Sequence, residues 1–535
     1  MFLPVELPVW PVLFALLPAL CALSAAVLPL RRLARLAGVR GRDDRALTDF
    51  AWRIAQRGLD LALAAALVAV AIAALQGPVA GDWLRLDAAG AVFMLLVAFI
   101  GRVVVRYAAR NLDGQPGARR AARGLLLTLV AALAVPAANH LLPLALAWSA
   151  TGLALNRLLG FFRERPEARL AVHKHFLVAR AADVCLAAGL VLLGASLGTL
   201  RIDELAARAA DGLPLAASAG VALVAVAALL QGAQLPVHGW LVQVMEAPTP
   251  FSALLHAGVV NLGGFVLIRL APVVAASPLA TGCLVVVGCA TAVVASLSMA
   301  TRVSVKVALA WSTCAQMGFM FVECGLGAPG MAFLHLVAHS LYKAHAFLGA
   351  GGRVRLAVTD RLLAPAARPG AGELAAGAAL ALALAGVAAI AVGQAAALLG
   401  HASSWTAADL TLAAIVALAF APLLRPGTAA LPWRAGAVLA LAAGYFTAHA
   451  LLDGRFAPEA VGTPWWPVAV AGFGLLMLLD AVISAAPDGR LARRLHPWCF
   501  GGLYVDDWLS RRAFRLWPPP RVARAGIAPV ALPPA

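Results

Sequence analysis

Apolar runs of roughly 20 residues recur along the whole of this chain, separated by short polar turns. As helices, such runs match a hydrocarbon layer about 30 Å thick. They are too long for barrel strands, and a backbone in lipid must satisfy its own polar groups, so bundled helices are the expected form. Composition agrees: 62% of the 535 residues are hydrophobic, 13% are charged and the mean hydropathy is +0.88. Soluble domains carry about 25% charge. The expected fold class is therefore an all-α polytopic membrane protein of about 15 transmembrane helices. The spans fall near 7–30, 59–76, 87–108, 123–140, 141–161, 171–198, 213–234, 251–275, 278–299, 304–325, 329–351, 372–400, 408–424, 432–452 and 464–486.

The net charge of +17 does not point to nucleic acid, because of where the charge sits. With the N-terminus outside, the segments on the inner side carry 35 of the 42 basic residues. The outer loops keep only Arg85, Arg201, Arg208 and Arg455. That alternation follows the positive-inside rule and places the C-terminus in the cytoplasm, with the lipid bilayer as the chain's first partner. The first apolar run lacks a basic stretch before it and reads as a retained span rather than a signal peptide. Seven scattered cysteines, none in a CxxC pair, give neither a disulfide framework nor a metal site.

Within the eleventh span, FLHLVAHSLYKAH places His335, His339 and Lys343 at steps of four. Such residues share one face of a helix, about 6 Å apart along its axis. Titratable groups at membrane depth are costly and by default mark an ion or proton route. The bland alternative is three locally bonded or snorkelling residues near a helix end. The chain has 39 Arg and three Lys (Lys174, Lys306 and Lys343). A buried Lys can release its proton, whereas an Arg effectively cannot. Lys306 stands at the inner edge of the tenth span, where snorkelling alone would account for it.

The seventh span ends in Gln231-Gly-Ala-Gln-Leu-Pro236, and the proline should break the helix there. Broken helices at membrane depth leave free backbone groups that line ion sites. Glu246 follows in a polar, proline-rich turn, and His256 lies about a turn and a half into the eighth span. In the sixth span Arg180 and Asp183 stand three apart and can pair, either structurally or as part of a route. His173 and His175 read as solvated, and beyond Arg368 the chain reads as losing its intramembrane charge. The stretch from Asp488 mixes Trp and Arg, as an interfacial helix or docking surface would.

These motifs carry a resemblance. Gly232 to Arg269, Val305 to Phe321 (VKVALAWSTCAQMGFMF) and Phe333 to Gly351 resemble the proton-translocating, antiporter-like subunits of respiratory complex I and Mrp antiporters. Within that superfamily MEAPTPFSALLHAGVVNLGGF is most similar to the DabB subunits of bacterial inorganic carbon pumps, as are LRLDAAGAVF and YVDDWLSRRAFRLWPP. The resemblance implies two inverted five-helix repeats, 123–275 and 278–424. They lie between N-terminal helices (1–122) and C-terminal helices (425–487), with an amphipathic cytoplasmic tail at 488–535. It also implies that His256, Lys306, His335, His339 and Lys343 occupy the proton path, with Arg180 and Asp183 as a supporting polar pair. Two positions depart from the respiratory pattern: Ser149 stands where those subunits carry a glutamate, and Gln231 where they carry a lysine. Neither titrates. The lysine of the second broken helix has no counterpart in Gly372 to Gly400.

The implied function is that of a transporter subunit rather than an enzyme. It would conduct an ion, a proton by expectation, to drive bicarbonate accumulation in the cell (inner) membrane. The partner implied is a DabA-like peripheral subunit bearing the zinc, with no cofactor on this chain. The alternatives are a proton-pumping subunit of a respiratory NADH–quinone oxidoreductase or membrane hydrogenase, a cation/proton antiporter subunit, and a scaffold that conducts nothing.

Overall fold

A break in the middle of the seventh apolar segment shapes the centre of the molecule. It is seen in a computed structural model that describes residues 13–27, 44–162, 164–352, 370–398, 405–424, 430–452 and 464–519. The first helices are α1 (Leu17–Val27), α2 (Asp44–Gln76) and, after a two-stranded antiparallel hairpin of β1 (Val79–Ala80) and β2 (Arg85–Leu86), α3 (Ala88–Asn111). Next come α4 (Ala118–Ala134), α5 (Leu141–Leu159), α6 (Pro166–Leu197) and the short amphipathic α7 (Ile202–Ala209). The broken segment comprises α8 (Leu215–Gln231) and α9 (Gly239–Gln243). The eighth segment comprises α10 (Thr249–Ala257), α11 (Leu262–Arg269) and α12 (Ala271–Ala275). The second half runs α13 (Pro278–Ala300), α14 (Val305–Gly325), α15 (Pro329–Leu348), α16 (Ala371–Leu398), α17 (Ala407–Ala419), α18 (Leu431–Leu452) and α19 (Trp466–Ala485). It closes with α20 (Arg490–Phe500) and α21 (Val505–Leu516). Among the described residues eight helices are long and apolar enough to cross a membrane, so the chain is a multi-pass membrane protein.

Local chemistry sets the helix ends. Asp87 caps α3 by accepting the Gly90 amide at 2.8 Å, and Ser277 caps α13 ahead of Pro278. Each supplies an acceptor to an otherwise orphaned amide. The α2 helix begins at Asp44, so the basic turn after the first span is helical from there onward. At the break, α8 stops at Gln231, Ala233 takes a left-handed φ of 53°, and Leu235–Pro236 is cis. The freed backbone groups are met from neighbouring helices. Thr291 Oγ1 accepts the Leu235 amide at 3.0 Å, while the Gln234 side-chain amide donates to the Gly232 carbonyl (2.8 Å) and more weakly to Cys314 O (3.3 Å). Such satisfaction is what permits a non-helical backbone at membrane depth.

The eighth segment is interrupted as well. Instead of one run over 251–275, α10 ends at Gly258, a 3₁₀ turn follows over Val259–Asn261, and α11 begins. Asn261 bridges this turn, donating to Ala257 O (3.2 Å) and to Ser340 Oγ of α15 (2.7 Å). Close packing elsewhere depends on glycine. A Cβ added at Gly288 of α13 would lie 2.6 Å from the Gly318 carbonyl of α14.

The two faces of the bundle differ. One is basic and holds the turns near 112–117, 160–162 and 302–304 together with α20 and α21. On the opposite face the hairpin and α7 form a small cap. There Arg201 pairs with Asp82 (2.6 Å), Asp203 (2.8 Å) and Glu204 (3.3 Å), while Asp87 is shared by Arg85 (2.6 Å) and Arg269. Burial opposes ionisation of Asp203, but the bonds from Arg201 and Asn139 and the Arg201 charge outweigh it. They hold its carboxyl below the usual range.

Candidate functional site

The candidate path is organised along α14. Lys306, Leu309, Thr313, Gln316 and Glu323 recur at helical spacing on one side of it. At 1.5 Å per residue, Lys306 to Glu323 is about 25 Å, most of a hydrocarbon layer. Each position meets a polar group from another element.

Lys306, in the first turn of α14 on the basic face, lines a polar cavity of about 280 Å³ with Glu246, Arg165 and Gln115. Glu246 lies 3.6 Å from Arg165, so it belongs to this mouth. One turn deeper, Lys343 of α15 is fully buried and donates to the Leu309 carbonyl at 3.2 Å. Among the described residues no carboxylate pairs with it. The same carbonyl accepts from the Thr313 hydroxyl (3.0 Å), and Thr313 Oγ1 lies 3.0 Å from His256 Nδ1. With the Thr313 hydroxyl donating to Leu309, His256 Nδ1 is the donor to Thr313. Neutral His256 then carries its lone pair on Nε2, which is buried without a partner. The ring is held flat against Phe347, 4.4 Å between centroids.

His339 sits beside His256 with its own Nε2 buried and unpartnered, and its ring is 6.0 Å from that of His335. His335 Nδ1 then meets Glu323 at 2.8 Å, and its Nε2 lies 2.9 Å from Gln316 Oε1. The structure therefore brings His256, His335, His339 and Lys343 into one file, with Lys306 at its basic-face end.

The first half of the chain is arranged separately. Arg180 and Asp183 pair at 2.8 Å on α6, as their spacing predicts. Ser149 donates to Asp183 at 2.8 Å, so the position that lacks a glutamate has a carboxylate against it. Gln231 is buried at the end of α8. Among the described residues no hydrogen bond joins these groups to His256.

Two expectations are corrected. His175 is buried and bonded to Asn156 at 2.9 Å, because α6 turns it into the bundle; His173 reaches the Trp517 carbonyl at 3.0 Å. Intramembrane charge does not end at Arg368: Asp409 and His449 form a buried pair at 2.9 Å. The pair is tolerated because Asp409 also closes a capping box with Thr406 at the start of α17. The stretch from Asp488 forms α20 and α21, which pack on the basic face.

Sequence reasoning missed Glu323, Thr313, Asp409 and His449. Tyr445, on the same helix as His449, has its hydroxyl buried without a hydrogen-bond partner among the described residues. A signal existed for Glu323 and for Asp409, each an acid inside an apolar run.

Comparison with known proteins gives a consistent picture. Residues 138–365 match the transmembrane family model for NADH:quinone oxidoreductases and Mrp antiporters. A probable inorganic carbon transporter subunit DabB2 of Halothiobacillus neapolitanus is 37% identical over 80% of this chain and 79% of its own length. The probable DabB subunit of Hydrogenovibrio crunogenus is 47% identical over 53% of this chain and 55% of its own. With that relative, as with some others, the similarity spans about half of the relative. NADH-quinone oxidoreductase subunit L of Mycobacterium tuberculosis is 34% identical over 50% of the chain and 43% of that protein. Among solved structures, an Mrp complex from Dietzia sp. superposes with a TM-score of 0.61 at 23% identity, over 96% of this chain and 61% of the other. An archaeal membrane-bound sulfane sulfur reductase gives 0.57 at 19%, over 93% and 99%. Both share the antiporter-like membrane fold.

Proposed function

Because the chain belongs to the DabB family of inorganic carbon transporter subunits, we propose that it conducts ions, protons by preference, to energise a two-component carbon pump. A DabA-like peripheral subunit would hold the zinc and hydrate CO2 to bicarbonate. This subunit would supply the driving ion flow and would carry no cofactor. It would lie in the inner membrane with its N-terminus outside and its basic face cytoplasmic, as the positive-inside rule requires.

The observation that carries this reading is the file from Lys306 through Lys343, His256, His339 and His335 to Glu323. Its members come from α10, α14 and α15 and run alongside α14 over most of the membrane's depth, and two of its histidines keep a ring nitrogen free of partners. Protons would move between the Lys343 amine and the free Nε2 atoms, with water filling the gaps. On the far face the Tyr445 and Asp409–His449 groups would take over. The two repeats, 123–275 and 278–424, would then contribute unequally. Ser149 and Gln231 leave the first without the respiratory pattern's acid and lysine, which counts against a role as a respiratory pump.

Expression with a zinc-containing peripheral partner in a host that lacks carbonic anhydrase tests the proposal. Growth in ordinary air should be restored, and the two proteins should co-purify with zinc on the partner. Growth rescue by the partner without this chain would refute it.

A further inference from the structure

The docked tail covers the break in the seventh segment, and its hold is polar. Arg302 donates to the Phe500 carbonyl at 2.5 Å, its guanidinium lying between the rings of Trp311 (5.2 Å) and Phe500 (4.9 Å). The chain then turns at Gly502, with φ of 59°. A side chain there would meet the Trp311 ring at 2.8 Å and His238 Nε2 at 3.3 Å. Asp506, in the first turn of α21, reaches furthest in. Its carboxylate accepts from Lys174 Nζ at 2.8 Å and from the Gln243 side-chain amide at 3.2 Å. A Cβ at Gly239 would overlap this carboxylate, so only glycine admits it. Finally, His173 Nε2 meets the Trp517 carbonyl at 3.0 Å.

Beneath this strap lies His238, only 2% exposed, two residues past the cis proline and with an unpartnered Nδ1. The apolar residues of α21 are at most half-buried, with Phe514 against the His173 ring at 5.5 Å, so the buried Asp506–Lys174 pair is the main anchor of the helix. Removing one partner of a buried pair leaves the other charge uncompensated, which is strongly unfavourable. Loss of Asp506 should therefore open the mouth and hydrate Lys174.

We infer that the tail is the gate of the basic-face mouth at the broken helix, that Asp506 on Lys174 is its latch, and that lifting α21 admits water and ions to His238. The inference rests on the ion-conducting reading and extends it to the first half of the chain, where the sequence itself supplies no titratable group at Gln231.

The test places a cysteine beneath the strap (His238→Cys) and follows its labelling by a membrane-impermeant thiol reagent in inside-out vesicles. Proton flux is measured in proteoliposomes of the same variants with His238 intact. Asp506→Asn and Gly239→Leu should each speed labelling about tenfold or more and raise passive proton flux at matched protein. The exchange of both charges (Lys174→Asp with Asp506→Lys) should restore slow labelling, which a merely misfolded tail would not. Unchanged labelling in both Asp506→Asn and Gly239→Leu overturns the gate. Faster labelling with wild-type flux also overturns it while sparing the conducting file. Absence of flux in every variant, wild type included, overturns the conduction reading on which the gate depends.

Discussion

Replacing Thr313 by valine tests the bonding that orients His256. The shapes are nearly equal, so packing is kept and only the hydroxyl is lost. That hydroxyl donates to Leu309 O at 3.0 Å and accepts from His256 Nδ1 at 3.0 Å. In the variant the buried Nδ1–H of His256 has no acceptor. An orphaned buried donor costs about 1–3 kcal/mol, and the ring can escape that cost by flipping or changing tautomer. Either response removes the Nε2 lone pair from its present place in the file. If the whole of that cost falls on proton transfer, conduction drops about 5- to 150-fold. The assay is proton flux into proteoliposomes at matched protein, with Thr313→Ser as the control that keeps the hydroxyl. Valine should be slow and serine near wild type. Full flux in the valine variant at normal expression would refute the reasoning, and equal loss in both would show that the methyl group mattered instead.

Other consequences follow from the same geometry. Glu323→Gln weakens the bond to His335 Nδ1 and should lower flux about tenfold, the equivalent of about 1.4 kcal/mol from a charge-assisted bond. Gly288→Val drives a side chain into the Gly318 backbone, which cannot yield, and should cost at least about 1–3 kcal/mol, read as an earlier thermal aggregation midpoint in detergent. Asp203 has a depressed folded pKa, so its contribution to the α7 cap is present above the ordinary carboxylate value near about 4 and is lost as pH falls through the folded value. The protection factors of amides in Ile202–Ala209, taken against the intrinsic exchange rate at each pH, should fall on acidification through that window and be unchanged between pH values well above it.

What the sequence made legible, and what it hid, follows from distance along the chain. Pro236 announced its break because a proline acts on its own helix. The file of His335, His339 and Lys343 announced itself through steps of four. The break at Gly258 was hidden, because Val259, Val260 and Leu262 keep the run apolar and only Asn261, bonded across to Ser340, marks the turn. Groups that meet across helices left no local pattern. His256 and Thr313 are 57 residues apart, Asp409 and His449 are 40 apart, and Lys174 and Asp506 are 332 apart. His175 was misread for the same reason: the residues just before it, His173 and Lys174, are polar, while its neighbours in space are Asn156 and Trp240. The family resemblance located the titratable positions, but it gave no sign that Ser149 leans on Asp183.

The central claim is that protons pass through the amine of Lys343. Lys343→Arg keeps the positive charge and the donor to Leu309, yet an arginine effectively never gives up its proton. The direct measurement is proton flux through this variant and the wild type in proteoliposomes under an imposed potential, at equal protein content. The account predicts flux no higher than in protein-free liposomes. Flux at half the wild-type rate or more would contradict it.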